Sequence, residues 1–515
     1  MSNFHSTISR RNFMKAIGLM GAGVGVAGAT TPVFHDLDEL VSSPNAAQGR
    51  NAWWVKERDY MDLTTEVDWN IYQRFRSDLY NNGLMEFKTH FGDKADAIQA
   101  AKNANVARQS AYTEETKPGS GRRAQALKAV SHTNLTDVMS RYNDGSHGNV
   151  FYGDEDLVFK MGRNSVFLDT INLNDTWKGS PEENARMMRT VCRFFGFTDT
   201  RYLPLDEKTI KLLNTHQKSM EWARPLALLY GETVKTREYV FEDVPRPYVT
   251  NTKAVIPSSY KYMIIASTST SMAENRRPNS DIWEASISAA KGCYRGEYAQ
   301  SELFRFLSYL GYGGVGGGGF IGIGSYPAAG VFSGLGELGR INQVIGAGVW
   351  MGPCKIILTN LPLPASNPID AGIERFCRTA CKKCAELCPG KALSMVDEPT
   401  YELASDPENP SLKPELFNNK GKKVFPFNHA NCMRYWSETG VGMCGICESN
   451  CVFNKEPLSS IHEVVKPVIS NTALFNGFFF NMDKAFGYGQ IPEDQYNDWW
   501  HLEYKMPVNA QEPNI

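Results

Sequence analysis

Apolar positions recur every three to four residues from Glu183 to Phe195 and from Ser301 to Leu310, a spacing that predicts amphipathic helices. Val255-Ile256-Pro257, Tyr262-Met263-Ile264-Ile265-Ala266 and Cys354-Lys355-Ile356-Ile357-Leu358 are short, nearly continuous apolar runs instead, and they predict buried strands. Strands and helices alternating over 240–365 predict an α/β layer. Proline then punctuates Leu361-Pro362-Leu363-Pro364 and Asn367-Pro368, which marks a boundary. Beyond 456 the chain turns aromatic, with Phe478-Phe479-Phe480 and Trp499-Trp500, and this tail is expected to pack back onto the body. No repeat period stands out.

One apolar segment has a different purpose. Ala16 to Ala29 is rich in Gly and Ala, and its 14 residues fall short of the roughly 18 that span a bilayer. Ser9-Arg10-Arg11-Asn12-Phe13-Met14-Lys15 precedes it, and two adjacent arginines before a weakly apolar stretch read as a twin-arginine signal. Ala27-Gly28-Ala29 offers a small-residue cleavage site and Asn45-Ala46-Ala47 a weaker one. That route exports folded proteins, so it predicts a cofactor inserted before translocation. The mature chain is expected to be soluble or peripheral. The organisation read this way is a signal over 1–29, with cleavage as late as 47, an N-terminal region over 48–190 and a core over 191–365. A cysteine region over 366–455 and the tail over 456–515 follow.

The 54 basic side chains nearly balance the 56 acidic ones, so nothing suggests bulk attraction to nucleic acid. Cysteine is the informative composition. Eight of the 11 crowd between Cys377 and Cys451. The first run reads Cys377-x3-Cys381-x2-Cys384-x3-Cys388-Pro389, and the second reads Cys432-x11-Cys444-x2-Cys447-x3-Cys451. A short loop wraps three corners of a cubane cluster, and a distant thiolate caps the fourth. In two-cluster ferredoxins the fourth Cys of each run ligates the other cluster. On that logic Cys377, Cys381, Cys384 and Cys451 hold one [4Fe-4S] cluster, while Cys388, Cys432, Cys444 and Cys447 hold the other. Disulfides, structural zinc and the open three-cysteine motif of radical-SAM enzymes compete with this reading. The first loop is one residue longer than the usual C-x2-C-x2-C-x3-C-P. Cys192, Cys293 and Cys354 read as packed small hydrophobes.

Gly311 to Gly324 holds nine glycines, yet no Gly-Lys-Ser/Thr follows, so a phosphate-binding P-loop is absent. The choice is between a flexible loop and backbone lying close against a large flat ligand. Together with the twin-arginine signal, Trp53-Trp54-Val55-Lys56, Ser333-Gly334-Leu335-Gly336-Glu337-Leu338-Gly339-Arg340, Thr359-Asn360-Leu361-Pro362-Leu363 and the two terminal cysteine runs, this segment makes the chain resemble the respiratory reductive dehalogenases. It looks most like the chloroethene-reducing members, vinyl chloride reductases among them.

The resemblance implies an α+β fold: a nitroreductase-like α/β corrinoid-binding core followed by a bacterial-ferredoxin-like domain with two [4Fe-4S] clusters. It implies a base-off corrinoid touched by Ser333, Gly334, Leu335, Gly336 and Glu337. Halide would leave a chlorinated organic such as vinyl chloride, and hydrogen would replace it, as the last step of organohalide respiration. The family's proton-donating Tyr with its basic partner matches Tyr294 and Lys355, with Tyr298 the runner-up. Partners implied are a halogenated small molecule, a small integral-membrane anchor protein and a membrane electron donor at the outer face of the cytoplasmic membrane. Asn360 departs from the family's usual Asp. An epoxyqueuosine-reductase-like corrinoid enzyme and a non-catalytic iron–sulfur subunit are the alternatives. The signal and the charge balance count against the first, and the long stretch before Cys377 counts against the second.

Overall fold

Buried runs and amphipathic helices sort themselves into one antiparallel layer covered by helices on both faces. The computed structural model describes residues 51, 54–77, 84–113, 115–117, 123, 176–216, 237–250, 252–268, 284–317, 322–346, 349–350, 354–439, 444–453, 460–485 and 492. The elements used below are, in chain order, α1 (Leu84–Phe91), α2 (Ala95–Ser110), α3 (Pro181–Phe194), β1 (Asp199–Pro204), β2 (Tyr262–Ser267), α4 (Glu284–Tyr309), β3 (Gly314–Gly316), α5 (Tyr326–Phe332) and β4 (Cys354–Thr359). The cysteine region adds α6 (Ile373–Thr379), α7 (Lys383–Glu386), α8 (His429–Thr439) and α9 (Ile446–Ser449), and the tail adds α10 (Ser460–Asn471) and α11 (Asn476–Ala485). The twin-arginine segment and Trp499-Trp500 lie outside the described residues.

The central sheet runs β1-β2-β4-β3, and every neighbour is antiparallel, with Cys354 opposite Ser267 and Ile357 opposite Gly316. The parallel pairing among these described elements is peripheral, between Glu238–Glu242 and Lys253–Pro257. Strand–helix alternation therefore yields an α+β fold with an antiparallel sheet. Apolar runs buried on both faces carry no signal of strand direction, so the pattern could not distinguish the two arrangements.

Residue parity along the strands assigns each core. Tyr202, Ile264, Ala266 and Ile357 face α3 and α4, packing against Met188, Cys192, Leu303 and Leu307. Leu203, Met263, Ile265, Ile356 and Leu358 face the other way, toward Ala329, Val331 and Phe332 of α5. Helix α3 starts where sequence rules place it. Ser180 accepts from Glu183 N–H, Glu183 returns the bond to the Ser180 N–H, and Pro181 follows directly. Helix α4 is far longer than the stretch that periodicity marks, because Gly292 and Gly296 interrupt the apolar pattern of its first half.

The chain's beginning closes on its end. Lys56–Glu57 pairs antiparallel with Ile369–Asp370 just before α6. Phe87, Phe91, Ala95 and Ile98 of α1 and α2 form a small core with Ala430 and Met433 of α8. Ser470 in α10 donates to the Trp54 carbonyl, and Arg375 in α6 donates to the Ser470 carbonyl at 2.6 Å. No helix among the described residues is long and apolar enough to cross a membrane.

Candidate functional site

Lys355 sits on the α4 side of β4 with no solvent exposure. Its stem runs beneath Gly296: a Cβ built there would stand 3.0 Å from Lys355 Cε and 3.5 Å from Thr268 Cγ2. The neighbouring Thr268 hydroxyl donates to the Gly292 carbonyl at 2.8 Å. Gly292 and Gly296 thus give the helix a smooth strip on which a long cationic side chain can lie. Position 298 lies about 200° round the helix from Gly296. Tyr298 is accordingly 56% exposed. Helix α4 therefore separates Tyr298 from Lys355 rather than pairing them. The side chains of Tyr294, Cys293 and Cys354 lie outside the described residues.

The glycine-rich run is tight for an internal reason. A Cβ on Gly313 would overlap the Tyr260 hydroxyl, one on Gly314 would meet Phe304 at 2.6 Å, and one on Gly316 would meet Gln300 Oε1 at 2.6 Å. Asn360 Oδ1 accepts the Gly313 N–H at 2.8 Å while Thr359 Oγ1 donates to the Gly313 carbonyl at 2.7 Å, so both sides of that peptide are pinned. The carbonyl oxygen of an Asn amide makes the contact that a carboxylate would make there. Gln300 is fully buried; its amide nitrogen donates to the Gly317 carbonyl, and its Oε1 has no protein donor. Residues 318–321 of the run lie outside the described residues.

Ser333 to Arg340 follows α5. The N–H groups of Ser333, Gly334 and Leu335 already close that helix onto Ala329, Val331 and Gly330. Leu335 is in the α5 core, and a Cβ on Gly336 would strike the Ile345 carbonyl. Glu337 is buried, and its Oε2 accepts from the Ala371 N–H at 2.7 Å and the Ile373 N–H at 3.0 Å, at the start of α6. Burial pushes its carboxyl up to about 7, against the pull of those N–H groups. Arg340 reaches the other end of α6. Nη2 donates to the Cys377 carbonyl at 2.9 Å, Nε to the Cys381 carbonyl at 3.2 Å, and Nη1 to the Ser394 and Val396 carbonyls.

That segment abuts the cysteines. A Cβ on Gly339 would stand 3.5 Å from Cys377 Sγ. Cys377, Cys381, Cys384 and Cys451 are buried free thiols, whereas Cys388, Cys432, Cys444 and Cys447 are half-buried free thiols. Burial pushes the Cys377 thiol well above the usual range, and Cys381, Cys384 and Cys451 push it further. Cys381 rises to about 12 through burial and the neighbouring Cys451. Cys432 is raised by burial and then by Cys444 and Cys388, and Cys444 rises to about 11 with Cys388 among the causes. Burial raises the Cys447 thiol well above the usual range, and Glu448, Cys444, Cys432 and Cys384 raise it further. Cys377 thus lies near Cys381, Cys384 and Cys451, and Cys432 lies near Cys444 and Cys388. Among the described residues no three His, Cys, Asp or Glu side chains converge as ligands to a single metal ion. A cubane spreads its thiolates one per iron, farther apart than a single ion does. Eight clustered free thiols are a donor set that metal binding would deprotonate, and they fit such clusters.

Sequence reasoning missed the grip of Glu337 and Arg340 on α6, and the buried ion pair of Lys383 with Asp483 at 2.5 Å that ties α7 to α11. Both partnerships span long sequence separations, so no local spacing announces them. A fully buried Arg at the end of a Gly-rich segment was the one available hint.

An antiparallel α+β body carrying two sets of thiols is the frame of an oxidoreductase. The chain belongs to the reductive dehalogenase family: the family described as "Reductive dehalogenase subunit" matches residues 50–363. It is similar to the chloroethene reductive dehalogenase of Dehalococcoides mccartyi (strain VS), at 30% identity over 98% of each chain. The trichloroethene reductive dehalogenase of another Dehalococcoides mccartyi strain, ATCC BAA-2266 / KCTC 15142 / 195, is 28% identical over 97% of each. The tetrachloroethene reductive dehalogenase of Sulfurospirillum multivorans is 33% identical over 48% of this chain and 46% of its own. Among solved structures, the catabolic reductive dehalogenase NpRdhA shares the fold at TM-score 0.53 and 15% identity, over 88% of this chain and 52% of that one. A second structure, described as suggesting a mechanism for B12-dependent dehalogenation, gives TM-score 0.53 at 16% identity, covering 92% and 54%. The chain spans about half the length of these solved chains. The protein is an oxidoreductase of the reductive dehalogenase type.

Proposed function

We propose that this dehalogenase takes a chloroethene such as vinyl chloride and converts it, with two electrons and one proton, to the hydrogen-substituted product and chloride. The single observation carrying the substrate class is likeness across essentially the whole length to an enzyme named for chloroethenes. A corrinoid held base-off in a nitroreductase-like core and two [4Fe-4S] clusters in a ferredoxin-like region are the cofactors of this reading. When bound, they supply a low-valent cobalt for carbon–halogen cleavage and a path for single electrons.

The chain's own residues fit those groups. Gln300 Oε1 is a buried acceptor beside β3, suited to the amide donors that rim a corrin ring. Ser333, Gly334, Leu335, Gly336 and Glu337 would face the corrinoid with carbonyl oxygens rather than N–H groups, the N–H groups of the first three being already bonded within the protein. Cys377, Cys381, Cys384 and Cys451 hold the cluster nearer the core, next to Gly339. Cys388, Cys432, Cys444 and Cys447, nearer solvent, would hold the second cluster.

Tyr294 is the proposed proton donor, with Tyr298 the runner-up although its exposed side chain lies across α4 from Lys355, and Lys355 is the proposed cation that would stabilise the phenolate left behind. Resemblance supports the tyrosine, and the position of Lys355 beneath the same helix supports the cation. The domain plan (1–29 signal, with cleavage as late as 47; 48–190; 191–365 core; 366–455 cluster region; 456–515 tail) belongs to this proposal. So does export by the twin-arginine route to a peripheral position on the outer face of the membrane, with a small membrane anchor protein and a membrane electron donor. Arg10→Lys with Arg11→Lys should leave precursor in the cytoplasm, and normal export of that variant would count against the route.

The test of function is direct. Purified protein loaded with iron, sulfide and cobalamin should show a corrinoid spectrum and release chloride from chloroethenes under a low-potential reductant. Iron without corrinoid would exclude the proposed chemistry. Turnover of chlorinated aromatics with none of chloroethenes would leave the family intact and remove the substrate.

A further inference from the structure

We propose that Arg340 sets the reduction potential of the cluster held by Cys377, Cys381, Cys384 and Cys451, as a buried cation that also positions the cluster loop. The inference rests on the iron–sulfur reading above. Arg340 has no solvent exposure, and its guanidinium carbon lies 4.0 Å above the centre of the Phe425 ring. Its hydrogen bonds all go to carbonyl oxygens, of Cys377, Cys381, Ser394 and Val396. The carboxylate it acts on, Asp397, is exposed and already paired with Lys382 at 2.5 Å, and among the described residues no carboxylate hydrogen-bonds to Arg340.

A guanidinium taken out of water and given only carbonyl dipoles is costly to bury, unless a compensating negative charge stands nearby. The surroundings show where that charge belongs. Its guanidinium donates to the carbonyls of Cys377 and Cys381, and a Cβ on the neighbouring Gly339 would stand 3.5 Å from Cys377 Sγ. A four-iron cluster on four thiolates is an anion in both oxidation states, and it gains one more negative charge on reduction. A fixed cation in a low-dielectric site therefore stabilises the reduced form more than the oxidised form and raises the potential.

The fork contributes as well as the charge. Bonds to the Cys377 and Cys381 carbonyls hold two ligand-bearing peptides at fixed separation across the loop with the extra residue. Glu337, on the same segment, holds the opposite end of α6. Lysine would bring the charge without the fork, and glutamine much of the length without the charge.

The experiment compares wild type, Arg340→Gln and Arg340→Lys as full-length protein reconstituted with iron and sulfide. Redox titration is followed by the electron paramagnetic resonance of each cluster, with Cys384→Ala identifying the signal of the first. Arg340→Gln should make that cluster about tenfold harder to reduce, or about 59 mV lower for one electron, and leave the second cluster unmoved. Arg340→Lys should stay within about threefold of wild type while losing iron faster to a chelator. Full iron in Arg340→Gln with an unchanged midpoint overturns the inference. If Arg340→Gln does not load, Arg340→Lys decides: a midpoint close to wild type sustains the inference and a tenfold fall overturns it. Wild-type protein that binds no iron would instead remove the iron–sulfur reading itself.

Discussion

Lys355 shows what a single residue reveals and conceals. Its place in an apolar strand run marks it as unusual, and the fold buries it under Gly296. Which tyrosine it serves is not legible in the sequence, because positions 294 and 298 lie one helical turn apart. Tyr294→Phe is expected to retain both clusters and corrinoid while losing most turnover, and Lys355→Gln is expected to lower turnover while moving the alkaline limit of activity upward, because the phenol then keeps its proton to higher pH. Full activity in Tyr294→Phe with none in Tyr298→Phe would move the donor one helical turn. Glu337 gives a second residue-scale prediction. Its folded value of about 7 exceeds the ordinary 4.5, so between those values the folded chain binds more protons than the unfolded one. Its contribution is thus fully present below pH 4.5 and is lost as pH rises toward 7. Glu337→Gln can still accept the Ala371 and Ile373 N–H groups but cannot ionise. Its apparent melting temperature should fall less than that of wild type between about pH 5 and 7. Parallel curves would place the ionisation elsewhere.

At the scale of elements, the core strands and α3 were readable because apolar runs and a capping box are local signals. The antiparallel order, the early half of α4 and the route of Ser333 to Arg340 were not, because distant surfaces decide them. The spacing of the cysteines implies that each set of four is completed by the other run, whereas the clamp on α6 has no local trace. Gly334 tests that route. It holds φ +76°, and a Cβ there would stand 2.0 Å from the Asn367 carbonyl, a backbone atom with little freedom to retreat. Gly334→Ala should cost about 2 kcal/mol or more and shift the segment against α6. Gly477 in α11 is the matched control, with ordinary φ and nothing within 4 Å of where an added Cβ would stand. Gly477→Ala should be neutral or stabilising by up to about 1 kcal/mol. A similar loss of melting temperature in both would show that the close approach at Gly334 is not what constrains it.

Across the whole molecule, the two sets of cysteines are held by different parts of the chain. The first leans on the core through Glu337 and Arg340 and on the tail through Lys383–Asp483. The second depends on α8, whose buried face is covered by α1 and α2 from more than 300 residues earlier. Gln109 also donates to the Thr439 carbonyl at 2.6 Å, and Arg434 lies over the Phe91 ring. Phe87 sits at the centre of that small core with no solvent exposure. Phe87→Ala removes a large ring from a site with few neighbours able to collapse inward, a change of about 3–5 kcal/mol in well-packed cores. The loss should be local rather than global, because the antiparallel sheet and its two cores share no residue with this cluster. Phe87→Ala protein should therefore keep the first cluster's resonance and lose that of the second, with iron falling by about half, since one of two four-iron groups is released. Loss of both signals together would mean that the cysteine region responds as one cooperative body, and retention of both would mean that α8 holds its cysteine without help from the N-terminal helices.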